Sequence, residues 1–286
     1  MIACLTRCLA FALAATACLG QLNAQDVAVD GSQLYQQLCA ACHGKSGLGD
    51  GRAARFVFPS PRNLRHAPFR LVSTINRVPS QEDIRRVIEA GMPGTAMQAW
   101  KDLGQAKLDA LVETVLEIRV RGAAERYEMV LRETTGETPD ASDLDEAAYI
   151  QRVTVPGEAW HYDAGSPADE ELLQRGADVY QRQKCNSCHG DDGRGSRGMD
   201  LVDLSGRPTW AVDLRRDRFH GGHLPADVAR RIYLGMPGSG MPSSTNLSAE
   251  DLRALVAYSL SLADKSRVDL TNHLRRERAI GRFLAP

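Results

Sequence analysis

One pattern limits this chain more than any other: CAACHG, residues 39–44, returns as CNSCHG at residues 185–190. Each copy places two thiols three positions apart and an imidazole directly after the second. A single helical turn brings two such thiols to one side, with the imidazole beside them. The chain must therefore fold twice around something that accepts two sulfurs and a nitrogen.

The surroundings of the two motifs repeat as well, so the whole chain reads as a duplication. GSQLYQQLCAACHG and GADVYQRQKCNSCHG share Gly31/Gly176 and Tyr35/Tyr180. A glycine-rich loop follows each motif, GKSGLGDGR and GDDGRGSRG. Then a short predicted helix ends in IRRVIEAGMPGTAM (84–97) or VARRIYLGMPGSGM (228–241). Cys39 and Cys185 stand 146 residues apart and Met97 and Met241 stand 144 apart, so the copies differ here by two residues. A last helix closes each copy, with Leu108, Leu111, Val112, Val115 and Leu116 on one apolar face and Leu252, Leu255, Val256 and Leu260 on the other. Ser248, three residues before Asp251, is the expected cap of the second of these. Strand-like runs are scarce, and the fold class expected is all-α with long irregular loops.

Residues 1–24 have the form of an export signal. Arg7 precedes a thirteen-residue, largely apolar run (8–20), and small residues precede a cut after Ala24. The run is shorter than the roughly 20 apolar residues that span a bilayer. Ala15-Thr16-Ala17-Cys18 loosely resembles a lipoprotein cleavage box, which would instead make Cys18 a lipid anchor; this route ranks below simple export. Of seven cysteines, Cys4, Cys8 and Cys18 would leave with the leader. The remaining four all belong to the repeated motifs, which suits an oxidising compartment. Charge is balanced, 35 basic against 36 acidic residues, which argues against a general nucleic-acid surface.

The expected organisation is a leader at 1–24, a first domain at 25–118, a linker at 119–171, a second domain at 172–263 and a basic tail at 264–286. The linker carries 13 acidic and 5 basic residues, and GETPDASDLDE within it reads as a solvated connector. Trp160 and Tyr162 suggest that its later part packs on a domain. The tail carries six Arg/Lys and reads first as a solvated terminal segment, second as a docking surface for an acidic partner.

Two cysteines and a histidine at this spacing form the attachment sequence of c-type haem. The thiols Cys39 and Cys42, and again Cys185 and Cys188, add to the two vinyl groups of the porphyrin. His43 or His189 then supplies a nitrogen to the iron. Covalent attachment also suits a chain with only 6% aromatic residues, because the cofactor fills much of each core. Zinc and a redox disulfide are the competing readings. The pairs lie far apart in separate repeats, against a shared zinc site, and the βαβ pattern that accompanies many redox CxxC motifs is missing.

With CAACHG and GMPGTAMQAW in one half and CNSCHG and GMPGSGMPSS in the other, each half resembles a class I cytochrome c domain. The resemblance covers about residues 30–118 and 174–263. It implies two tandem cytochrome c-like domains, two covalently bound haem c groups, and a methionine as the iron's sixth ligand some 50 residues beyond each histidine. Met97 and Met241 stand where that ligand falls; Met92 and Met236 are expected to pack in the haem pocket. The resemblance also places a backbone carbonyl near Pro59 or Pro61, and near Pro208, as acceptor for the histidine's second nitrogen. Arg62 and Arg215 are candidates for the haem propionates, and Trp100 and Trp210 for packing near haem. Two departures separate the halves: Thr114 stands where the second half has Tyr258, and Gln98 where it has Pro242. His220 and His223 are spaced as a metal pair but are expected to be solvated, and His66, His161 and His273 have no partner pattern.

A methionine ligand raises the potential and fills the last coordination position. The function implied is single-electron transfer between periplasmic or membrane-bound redox proteins, as a carrier or as the haem subunit of a larger oxidoreductase, without catalysis of its own. A diheme enzyme such as a peroxidase is the alternative, disfavoured by the methionine in each half.

Overall fold

The computed structural model describes residues 29–135, 146–195, 201–207 and 209–263. The leader, Cys18, most of GETPDASDLDE, Pro208 and the basic tail lie outside the described residues. Among the described residues nine α-helices run in the order α1 (Gly31–Leu38), α2 (Ala40–His43), α3 (Gln81–Ala90), α4 (Gln105–Thr135), α5 (Glu146–Thr154), α6 (Glu170–Arg182), α7 (Asn186–His189), α8 (Pro225–Leu234) and α9 (Ala249–Ser261). Among the described residues there is no strand, only isolated bridges such as Thr74 with Ala159 and Met236 with Met241. The all-α expectation holds, with α1–α4 and α6–α9 as two copies of one plan.

In each copy the first helix crosses the last, and a glycine lets them touch. A Cβ on Gly31 would lie 2.3 Å from the Ala110 carbonyl oxygen, and one on Gly176 would lie 2.2 Å from that of Ala254. The neighbouring contact differs between copies. Gly31 meets the hydroxyl of Thr114, whereas Gly176 meets Tyr258, whose ring lies edge-on to Tyr180 at 5.4 Å. The first copy thus lacks the interhelical aromatic pair, as the sequence indicates.

The apolar face of α4 is buried at Leu108, Leu111, Val112 and Val115, against Tyr35, Ile84 and Ile88. The corresponding core of the second copy gathers Leu252, Leu255 and Val256 with Val179, Tyr180 and Val228. Helix starts follow capping chemistry. Ser80 and Asp83 exchange reciprocal bonds at the start of α3, and Ser248 accepts from the Asp251 N–H at 3.1 Å at the start of α9. Pro225 opens α8 at its first turn, where a missing N–H costs nothing.

The stretch between the copies is largely structured. Helix α4 does not stop at 118 but continues to Thr135, and Ala123, Tyr127 and Leu131 are buried along it. Helix α5 packs back on it, with Tyr127 and Tyr149 5.5 Å apart. The chain then runs along the first copy. Ile75 and Trp160 donate backbone bonds to Glu158 and Ser73, and Asn76 clasps Val155 and Gly157. Trp160 stacks on Tyr233 of the second copy at 4.8 Å, and it packs with Tyr162 against that core.

Candidate functional site

Each paired-thiol motif forms a single turn of helix. The Cys39 carbonyl accepts from the N–H groups of Cys42 (3.1 Å) and His43 (2.9 Å); Cys185 does the same for Cys188 (3.3 Å) and His189 (2.9 Å). The glycine-rich loop then turns back. Gly49 donates to the His43 carbonyl at 2.7 Å and Gly195 to that of His189 at 2.6 Å. These glycines have φ of 77° and 81°, a region that costs other residues conformational energy. Tyr35 and Tyr180 tie the preceding helix to the motif: their hydroxyls donate to the carbonyls of Gly44 (2.9 Å) and Gly190 (2.7 Å). The repeated tyrosines were visible in the sequence, but this role needed the fold.

The two imidazoles are oriented alike. His43 Nδ1 lies 2.9 Å from the Arg62 carbonyl oxygen and His189 Nδ1 lies 3.2 Å from that of Val212. A carbonyl only accepts, so Nδ1 carries the proton, and the neutral ring keeps its lone pair on Nε2. Burial pushes His43 below the usual imidazole range, favouring the neutral ring. The acceptors differ from those expected. In the first copy the carbonyl belongs to Arg62 rather than Pro59 or Pro61, and in the second to Val212, four residues past Pro208. Loop register decides which carbonyl meets the ring.

Farther along the chain, each copy closes a tight methionine loop. Met92 donates to the Met97 carbonyl at 3.0 Å, and Met236 to that of Met241 at 3.1 Å. A hydroxyl clips each loop from within. Thr95 Oγ1 donates to the Met92 carbonyl (2.8 Å) and accepts from the Met97 N–H (3.1 Å). Ser239 Oγ makes the same pair with Met236 (2.7 Å) and Met241 (3.4 Å). Sequence reasoning passed over Thr95 and Ser239, although both hydroxyls stand at the same place in GMPGTAM and GMPGSGM.

Cys39, Cys42, His43, Met92 and Met97 all line one cavity of the first copy, walled by apolar side chains such as Leu64, Ile84, Ile88, Leu111 and Val115. Trp100 lines it too, while Trp210 does not, but stacks on Phe58 of the first copy at 4.8 Å. Burial pushes the Cys39 thiol up to about 11, with the neighbouring Cys42 adding to the shift, so it stays protonated near neutral pH. Two thiols, an imidazole with its lone pair on Nε2 and a thioether around an apolar slot fit a flat, hydrophobic, iron-bearing ring. Met236 is buried in the second copy, in keeping with a packing role.

Other candidates fall differently. Arg62 lines the first cavity, but Arg215 is not its counterpart. Leu64 and Leu214 make the same backbone bond, to Gly47 and Gly193 at 2.7 Å in each case. That register aligns Arg62 with Val212 and Arg65 with Arg215. His220 is engaged between the copies, its Nδ1 donating to the Pro93 carbonyl at 2.6 Å, and His223 lies 5.5 Å from the Phe219 ring. Among the described residues no group of three or more His, Cys, Asp or Glu is placed to hold a metal ion. His66 pairs with Glu125 at 3.0 Å.

Comparison with known proteins agrees with this geometry. The family model described as cytochrome c oxidase, cbb3-type, subunit III matches residues 26–113 and again 171–258. No curated protein matches the sequence. Among solved structures, the chain is similar to a chain of the reducing HAO-like protein complex of Kuenenia stuttgartiensis. The two are 28% identical with a TM-score of 0.63, over 82% of this chain and 96% of the other. Two matched copies, each built around the same histidine, thiol and methionine arrangement, place the chain in the family described as cytochrome c oxidase, cbb3-type, subunit III, as a tandem diheme c-type cytochrome.

Proposed function

We propose that the chain is a periplasmic electron-transfer protein that carries one haem c in each copy and passes single electrons between redox proteins. Cys39 and Cys42 hold the first haem by thioether bonds, with His43 and Met97 as iron ligands. Cys185 and Cys188 hold the second, with His189 and Met241. The carrying observation is the repetition of one geometry: an imidazole fixed through Nδ1 to a loop carbonyl, beside a pair of thiols and with a clipped methionine loop in the same copy.

The haem iron, when bound, supplies one-electron chemistry between its ferric and ferrous states. The chain's own residues hold its surroundings constant. The carbonyls of Arg62 and Val212 prevent the imidazoles from rotating, and Thr95 and Ser239 limit the travel of Met97 and Met241. The apolar walls keep water from the first cavity. With both axial positions assigned to side chains, the chemical conversion is assigned to a partner rather than to this chain. The similar chain belongs to a reducing HAO-like complex, which favours a haem subunit of a redox assembly over a free carrier. Among the described residues no helix is long and apolar enough to cross a membrane. Export is attributed to residues 1–24, with simple release ranked above a lipid on Cys18.

Mass spectrometry and haemochrome spectra of the purified full chain are expected to show two covalent haems. Met97→Ala and Met241→Ala are each expected to remove half of the thioether-to-iron absorption band of the ferric protein. Loss of that band from Met92→Ala or Met236→Ala instead would overturn the ligand assignment. Rapid turnover of hydrogen peroxide by the native protein would overturn the carrier reading.

A further inference from the structure

The seam between the two copies holds an unbalanced group of charges. Arg62 and Arg70 both line the first cavity and both face the second copy. There Asp203 approaches Arg70, Nη2 to Oδ2 at 3.7 Å, with the two side chains 11% and 12% exposed. Arg207 belongs to the same loop. Arg70 is the one in contact with Asp203 among the described residues, and Arg62 stands within electrostatic reach of Arg70, Asp203 and Arg207. That carboxylate is already engaged by its own loop, its Oδ1 accepting from the N–H groups of Ser205 (2.8 Å) and Arg207 (3.1 Å). The Nε of Arg70 is buried without a hydrogen-bond partner among the described residues.

A guanidinium cannot relieve such burial by losing its proton at neutral pH, so the arrangement calls for an anion. A carboxylate on the cavity side would match guanidinium geometry. The second copy lacks both arginines at these places: in the shared register Val212 replaces Arg62 and His220 replaces Arg70.

We propose that Arg62 and Arg70 form a carboxylate-binding edge of the first cavity that takes a propionate of its haem, and that Asp203, reaching in from the second copy, tunes the potential of that haem. The proposal rests on the two-haem reading above. Reduction adds one negative charge at the iron, so a nearby carboxylate opposes it and a nearby guanidinium favours it. The arginine pair raises the first potential and Asp203 trims it, and the effect on the first haem exceeds that on the second.

The test is a spectroelectrochemical titration of the full-length holoprotein. Asp203→Asn keeps the Oδ1 acceptor of the loop and removes the charge; Arg70→Gln removes the opposite charge. Asp203→Asn is expected to raise the first haem's ratio of reduced to oxidised forms at least threefold at a fixed ambient potential. That is a shift of about 28 mV, at roughly 59 mV per tenfold for one electron. Arg70→Gln is expected to lower the same wave, and Glu113→Gln, an exposed charge change on α4, to move neither. A Met97→His background, in which a second nitrogen ligand lowers the first haem, identifies the wave. Variants that retain two haems but move both waves together, move neither, or move only the second would overturn the proposal. Wild-type chain lacking either covalent haem would instead overturn the reading on which it rests.

Discussion

The tyrosine shortly before each helical His-bearing turn does more than fill space. Tyr35 and Tyr180 are each 1% exposed, and each hydroxyl donates to the carbonyl of the glycine that ends the motif. Burial raises both phenols above their ordinary range, so both stay protonated and remain donors. Tyr35→Phe and Tyr180→Phe are each expected to cost about 1 kcal/mol, the usual net value of such a bond. The two sites lie in separate copies without shared partners, so the double variant is expected to lose the sum. Denaturant unfolding of the haem-loaded protein, monitored by far-ultraviolet circular dichroism, measures both. The two companion hydroxyls, Thr95 and Ser239, act over a shorter range, fixing the methionine loops from within.

At the scale of elements, α4 distinguishes the first copy. Its final turns would have no reason to persist in water, but α5 covers Ala123, Tyr127 and Leu131, spaced at four-residue intervals on one face. Glu125 then ties the extension to the loop after His43 through Arg65 and His66. Gly122 permits the closest approach, because a Cβ there would stand 2.0 Å from the Arg65 carbonyl oxygen. Helix propensity alone would make Gly122→Ala favourable by about 1 kcal/mol. Crowding against fixed backbone costs roughly 1–3 kcal/mol or more, so the net change is expected to be a destabilisation. A lower melting temperature for Gly122→Ala, read by calorimetry, is the expected result; an increase would show that the loop after Leu64 yields freely.

Across the whole molecule the two copies meet with approximate two-fold symmetry. A Cβ on Gly94 of the first methionine loop would lie 3.5 Å from the Arg218 carbonyl oxygen, and one on Gly238 of the second loop 3.6 Å from that of Pro68. Pro68 and Arg218 are equivalent positions, four residues past Leu64 and Leu214. Phe58 stacked on Trp210, and Trp160 of the connecting stretch stacked on Tyr233 of α8, add aromatic area to this seam. Trp210→Ala is expected to remove roughly 1–3 kcal/mol of coupling between the copies. In scanning calorimetry the unfolding endotherm should broaden or split toward two transitions, while both haems are retained.

The duplicated thiols, histidines and methionines were legible in the sequence because their chemistry depends on spacing along a turn or a short loop. The apolar faces of α4 and α9 were legible for the same reason, since helical periodicity is local. The stripe that α5 buries, Ala123, Tyr127 and Leu131, lay unread among the charges at the start of the linker, whereas GETPDASDLDE, the part expected to be solvated, falls almost wholly outside the described residues. The carbonyls that meet His43 and His189 could not be read at all, because loop register, not residue type, selects them. Nor could Arg70 and Asp203 be paired, being 133 positions apart and ordinary charges until the seam excludes water from both. Local order along the chain determined the repeated motifs and the helices, whereas tertiary packing alone decided which charges and carbonyls face each other, since burial and distance exist only once the copies have docked.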